Sequence, residues 1–303
     1  GDGAVYINNG STANIDNSTF TGNSRAICNQ HGSNTTINNS IFTGNYSNFG
    51  GAIHNDMDGA TMTINSSRFY DNYLLSYNIN AAGGALYSHS SNDSNTSYMY
   101  VNNSIFSANM GQNGGAAYGA IYFNGSIFDS NGIIEDAYGK NTDRGGAVRG
   151  SNIKNSILKN NTAGYGGALV YGSAQNSLFL NNAAIQRETN ADGVTTGNGG
   201  AIYYIATNSI TSNGLAFIGN HADGYGGAVY MADNSKLAFT GSLFKENYSR
   251  QGGAIFAGEN TSLTLDYTRF LSNYTQTTIA DNEDDGGAIL SMGDLTINHS
   301  AFN

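Results

Sequence analysis

The densest group of chemistry-bearing side chains is Asp281, Glu283, Asp284 and Asp285, all in one short stretch. Clustered carboxylates can chelate a hard cation through oxygen. This run lacks the alternating spacing and central Gly of an EF-hand loop, so it reads as a solvated acidic loop, with weak Ca²⁺ binding as the alternative. Carboxylates also do general acid–base work on glycosides when two of them flank the scissile bond. β-Helix enzymes that cut acidic polysaccharides gather several, with an Arg or Lys, in one cleft, whereas here they share a single loop. The histidines, at 31, 54, 89, 221 and 299, are scattered, and no HExxH, GxSxG or P-loop motif occurs. Cys28 is the only cysteine, which excludes a disulfide framework and a Cys-rich metal site. It follows Ala26-Ile27 and reads as a buried or semi-exposed thiol of no special reactivity. These residues imply a non-enzymatic protein with no catalytic residues, no metal and no cofactor.

Composition narrows the class further. The 303 residues carry Lys+Arg 12 against Asp+Glu 22, a net charge of -10. So acidic a chain lacks the basic patch that phosphate binding needs, which argues against a nucleic-acid partner. No run of apolar residues is long enough for a membrane-spanning helix, so no membrane insertion by this segment is expected. With 11% charged and 39% hydrophobic residues, the chain is not a charged disordered tail.

What must position any functional side chain is a repeat. Phe-x-x-Asn recurs at Phe20, Phe42, Phe69, Phe106, Phe128, Phe179, Phe217, Phe244 and Phe270, with Leu158 as a variant and Phe302 starting one more. Gly-Gly-Ala alternates with it, from Gly50, Gly83, Gly114, Gly145, Gly166, Gly199, Gly226, Gly252 and Gly286, and GDGAVY is a degenerate first copy. The shortest spacings are 21 to 22 residues. That is too short for a helical hairpin and suits one coil of a parallel β-helix. The absence of Pro agrees, because each Pro would remove a ladder hydrogen bond. The expected fold is all-β, about 10–11 coils of roughly 22 residues plus inserted loops. At about 4.8 Å per rung this makes a rod roughly 50 Å long.

Alignment on the Phe separates inside from outside. Five residues earlier stand Ile15, Ile37, Ile64, Val101, Phe123, Ile153, Ala174, Phe239, Leu265 and Ile297, and two residues earlier stands Ser or Thr. The Phe217 unit breaks both columns with Ser212 and Leu215. A separation of five cannot hold two side chains on one strand face, so a corner lies between them. Asn, which tolerates the left-handed conformation, fills it (Asn38-Asn39, Asn102-Asn103), and stacked copies imply an Asn ladder. Each coil should thus carry three strands: one ending in the Ile column, one bearing the Phe, and one starting at Gly-Gly-Ala.

INNSIFTGNYSNFGGAIHN (37–55) is a near-ideal unit. Alternating GGA[ILV] and FxxN tetrapeptides joined by I-x-N-S-x-F resemble the repeats of chlamydial polymorphic membrane proteins and of other adhesin-like autotransporters. The resemblance covers essentially the whole chain. It implies a right-handed parallel β-helix, a passenger domain at the bacterial cell surface or outer membrane, or secreted, and a role in adhesion and virulence. The chain opens and stops inside repeats, so it reads as a single domain, 1–303, cut from a longer solenoid.

Function then belongs to departures from the minimal coil. Long insertions at 73–82, 132–144, 183–198 and 274–285 leave the same corner, which in repeat proteins marks a binding face. The outward position of the Gly-Gly-Ala strand is rich in aromatics, and Tyr87, Tyr118, Tyr203 and Tyr230 with Arg144 and Arg187 are the expected ligand-binding residues. Tyr stripe and loops should line one shallow groove for a host-cell surface protein or a glycan. The competing reading of the stripe is cross-rung stacking that only stiffens the sheet. A second stripe, Ile105, Ile127, Ile157 and Leu178, is an expected apolar patch for homotypic association. The leading function is a surface adhesin. The alternatives are a polysaccharide lyase or glycoside hydrolase on the same scaffold, and a self-associating surface protein that makes cells aggregate.

Overall fold

The computed structural model describes residues 3–56, 59–75, 81–89, 96–134, 144–186, 197–205, 209–276 and 285–303. The chain divides into two compact units, Gly1–Ser156 and Ile157–Asn303. Each is a parallel β-helix: strands pair in parallel with their equivalents in the next coil, except that Ser173–Gln175 and Ile210–Asn213 of the second unit fall in different sheets. In the first unit the Gly-Gly-Ala sheet runs Val5–Ile7, Ile27–Asn29, Ile53–Asn55, Leu86–Ser88, Ala117–Gly119, Val148–Arg149. In the second it runs Leu169–Val170, Ile202–Tyr204, Val229–Met231, Ile255–Ala257, Ile289–Ser291. Inserted loops leave the register untouched: Ile53 pairs with Leu86 across 73–82 and Leu169 with Ile202 across 183–198.

The expected columns are the core. Phe42, Phe69, Phe106, Phe128, Phe179, Phe217 and Phe244 are fully buried. Their rings stack rung on rung, with Phe42–Phe69 centroids 4.8 Å apart and Phe69–Phe106 4.7 Å apart. That is the interstrand spacing itself, so a parallel in-register sheet places identical rings at the offset-stacking distance without further adjustment. Ile37, Ile64, Val101 and Leu265 fill the second column, and Ile53, Leu86, Val148 and Val229 the third. The irregular Phe217 coil keeps the same frame. Ser212 takes the place opposite Phe239 and is buried there, and the Leu215 N–H still donates to Ser242 Oγ at 3.3 Å.

Corners are made by left-handed residues, as the Asn pairs require. Asn17, Asn39, Asn103, Asn155 and Asn176 have φ of 46–51°. The expected ladder runs along the neighbouring position: Asn65 Nδ2 donates to Asn38 Oδ1 at 2.8 Å and Asn102 Nδ2 to Asn65 Oδ1 at 3.0 Å. Gly226 shows why the Gly pair is needed, having φ 67° with a built Cβ directly against the Val229 carbonyl. Its neighbour Gly227 would press a Cβ into the Gly253 carbonyl of the next coil.

Two features exceed the three-strand expectation. A fourth short strand follows FxxN in the coils from Phe42 to Phe270, such as Tyr73–Leu74, Met110–Gly111, Ala183–Ala184 and Tyr248–Gln251, and it turns Leu74, Ala184 or Ser249 inward. Secondly, the Asn of FxxN is buried and forms its own ladder. In the second unit Asn182 donates both its N–H and its Nδ2–H to Asn220 Oδ1 at 3.0 Å, and Asn220 does the same to Asn247. The remaining amide proton of Asn220 goes to the Phe179 carbonyl at 3.0 Å. Every coil thereby satisfies a buried corner with one side chain, which a buried polar residue must do to be tolerated.

Candidate functional site

Each unit carries a run of the expected tyrosine stripe. In the first unit Cys28, His54, Tyr87, Tyr118 and Arg149 pair in succession along the sheet. The Tyr87 and Tyr118 rings stack at 5.5 Å, and the Arg149 guanidinium lies 5.5 Å from the Tyr118 centroid. In the second unit Val170, Tyr203, Tyr230 and Phe256 pair, with Tyr203–Tyr230 at 4.9 Å and Tyr230–Phe256 at 5.1 Å. Parallel register alone brings these rings together.

The stripe is less open than its outward position suggests. The residue before Gly-Gly is aromatic in three coils, and its ring folds back over the stripe. Phe49 meets Tyr87 edge-on at 5.2 Å, Tyr165 meets Tyr203 at 5.1 Å, and Tyr225 stacks on Phe256 at 4.9 Å. Tyr87, Tyr118, Tyr203 and Tyr230 are consequently half-buried, and Val170 and Phe256 are buried. Desolvation, helped by neighbouring Tyr118 and Asp56, pushes the Tyr87 hydroxyl up to about 12. Desolvation likewise pushes Tyr230 up to about 12, with Asp233 adding to it. Both are hydrogen-bonding phenols at any physiological pH. The signal for these covers was legible as aromatic-Gly-Gly in NFGG (48–51), GYGG (164–167) and GYGG (224–227).

Arg144 sits just before Gly145, half-buried, and its carbonyl accepts the Gly114 N–H at 2.9 Å. Arg187 lies outside the described residues, as do Asp281, Glu283 and Asp284 and most of the inserted loops. Of the apolar stripe, Ile105 pairs with Ile127 in the first unit and Ile157 with Leu178 in the second. Ile157 is 36% exposed and the others are half-buried. Leu180 and Ile218 lie in the adjoining outward column of the second unit. Among the described residues no group of His, Cys, Asp and Glu is arranged to hold a metal ion.

His54 stands in the stripe but is buried, beneath Phe49 and Tyr87. Its Nε2 is 3.5 Å from Asp56 Oδ1, long for a strong hydrogen bond. Burial dominates and lowers its pKa, with Asp56 opposing. The folded protein therefore takes up the proton less readily than the unfolded chain. The stability this contributes is present above the unfolded value of about 6.5 and is lost as pH falls through the folded one. Urea unfolding at stepped pH is expected to show stability falling below about pH 6.5. In His54→Gln that slope should shrink, and an unchanged slope would assign the acid sensitivity elsewhere. Cys28, next in the column, is buried, with its Sγ 3.8 Å from an Arg25 guanidinium nitrogen.

Two aromatic groups were not singled out by sequence. Tyr98, Tyr100 and Tyr122 are 38%, 46% and 40% exposed on the outer face of the Ile-column sheet, with Tyr100 and Tyr122 stacked at 5.3 Å. Their signal was strict alternation, Tyr-Met-Tyr-Val at 98–101. In the second unit His221, Tyr248 and Tyr274 stack down the fourth-strand sheet at 4.5 and 5.2 Å.

No curated protein matches the chain. Residues 176–204 and 214–232, which span the Phe179 coil and parts of the two that follow, match the family model described as the Chlamydia polymorphic membrane protein repeat. The matched stretches carry the FxxN and Gly-Gly-Ala tetrapeptides at Phe179, Gly199, Phe217 and Gly226, so these coils are similar to that repeat.

Proposed function

We propose that this β-helix is a bacterial surface adhesin, displayed at the outer membrane or secreted, that binds a host-cell surface protein or glycan without chemical turnover. The observation that carries the reading is the division of labour within each coil. The Phe, Ile and Asn columns are consumed by the core and its ladders, while the outward positions vary and hold preorganised tyrosines. Stacked rings lose little freedom on binding, which suits them as anchors. The repeat match supports the surface location. A hydrolase or lyase reading would need several carboxylates and a cation from adjacent coils in one cleft; a cavity in the second unit, lined by His221, Tyr248, Arg250 and Gln276 among others, has Asp223 as its one carboxylate among the described residues.

Binding of the labelled chain to cultured host cells tests the proposal. Tyr203→Ala is expected to weaken binding by more than about 1 kcal/mol, roughly fivefold. Because Tyr203 packs on Tyr230 and Tyr165, this variant should also melt earlier. Tyr203→Phe keeps the stack and separates lost contact from lost packing. Undiminished binding by Tyr203→Ala would remove the stripe from the site, and no binding by the parent chain would remove the adhesin reading.

A further inference from the structure

The second unit contains a cavity of about 380 Å³ lined by His221, Ala222, Asp223, Tyr248, Ser249, Arg250 and Gln276. It exists because the fourth-strand sheet is irregular at this point. Elsewhere that strand has two residues, but His221–Tyr225 has five and Tyr248–Gln251 has four. The register shifts between Ala222 and Tyr225, so that two coils of unequal length face each other. Such a bulge bends the strand and re-aims its side chains. It is held in place: Gln186 N–H donates to Asp223 Oδ2 at 2.7 Å, Gly224 N–H to the Gly197 carbonyl at 2.8 Å, and Tyr225 N–H to Asn198 Oδ1 at 3.0 Å.

The opening has two unlike walls. One is formed by His221 and Tyr248, whose rings stack at 4.5 Å. The other carries Asp223, Arg250 and Gln276, one from each of three successive coils. Asp223 holds the imidazole of His221, Oδ1 to Nε2 at 2.9 Å, and both remain about a third exposed. The guanidinium of Arg250 lies 6.0 Å from the Tyr225 ring. A charged acceptor, a charged donor and an amide that both donates and accepts thus line one cavity together with the rings of His221 and Tyr248. The volume falls within the usual range for small-ligand sites.

That chemistry selects among ligands. A purely apolar ligand would strip water from Asp223 and Arg250 without replacing its hydrogen bonds. A polyphosphate would meet the Asp223 carboxylate in a chain of net charge -10. A sugar ring carries neighbouring hydroxyls that donate and accept at once, together with apolar C–H patches, and it matches both walls. We propose that this cavity is a saccharide-binding site, with Asp223, Arg250 and Gln276 holding ring hydroxyls and the rings of His221 and Tyr248 forming the apolar wall. The proposal rests on the adhesin reading and deepens it. It places a glycan contact on the fourth-strand sheet rather than on the tyrosine stripe.

The test pairs a glycan array with host-cell binding, using the full chain and the variants Asp223→Asn, Arg250→Gln and Gln276→Ala. Tyr267→Phe, at an exposed ring outside the cavity lining, serves as a control, and each variant's melting is measured. The expected result is binding to a set of saccharides that drops at least tenfold in Gln276→Ala and in either charge variant, while Tyr267→Phe keeps it. Saccharide binding unaffected by all three cavity variants overturns the assignment. So does cell binding with no saccharide bound, or with only peptide ligands captured, and in these cases the adhesin reading stands. Saccharide binding lost in the cavity variants without any binding to cells supports the cavity and removes the adhesin reading. Absence of both kinds of binding removes both. If a charge variant melts early, Gln276→Ala decides.

Discussion

Phe128→Ala is expected to destabilise the first unit by about 3–5 kcal/mol, the range for emptying a packed aromatic site. The ring is fully buried, stacked on Phe106 at 4.9 Å and edge-on to Phe123 at 4.9 Å. Truncation opens a void that cannot close, because the strand bearing it is pinned in register to its neighbour, Phe106 opposite Phe128. In a solenoid each rung is the wall of the next, so the loss should spread. Amide exchange should accelerate in the Phe106 coil as well as at the mutated one. Unchanged melting would mean that the Phe column carries no packing energy.

The second large effect concerns polarity rather than volume. Asn220→Ala leaves two buried donors of Asn182 and the Phe179 carbonyl without their partner. At about 1–3 kcal/mol for each of the three stranded groups the expected loss is about 3–9 kcal/mol. Asn220→Asp, nearly the same shape, should be worse near neutral pH. Its oxygens still accept from Asn182, but one now faces Asn247 Oδ1 and the Phe179 carbonyl, where the amide donated. A buried carboxylate among acceptors has its pKa raised. Relative to the parent chain, then, the Asp variant should regain stability as pH falls below that raised value and lose it as pH rises through it. Equal stability of Asn, Asp and Ala at this position, in denaturant titrations at two pH values, would show the ladder to be incidental.

Much of this molecule was legible from spacing. Because parallel coils stack equivalent residues in register, one repeat defines the environment of all its copies. Burial of Phe42, Phe106 and Phe244, the left-handed corners at Asn39 and Asn103, and the need for Gly226 and Gly227 follow from a single aligned column each. The pairing of Tyr87 with Tyr118 and of Tyr203 with Tyr230 was legible for the same reason.

Tertiary structure alone decided how open those columns are and where a cavity forms. Outward position in a strand does not fix exposure. His54 and Phe256 point outward and are buried because rings from the preceding corner, Phe49 and Tyr225, fold over them. The buried role of the FxxN asparagine needed a neighbour one coil away to reveal it, since its partners lie 21 to 38 residues distant along the chain. The saccharide-sized cavity arises where the repeat fails, at a register shift between His221–Tyr225 and Tyr248–Gln251. Periodicity describes what the coils share. A site depends on how two coils differ at one position, and that difference becomes visible only when the chain has brought Asp223, Arg250 and Gln276 side by side.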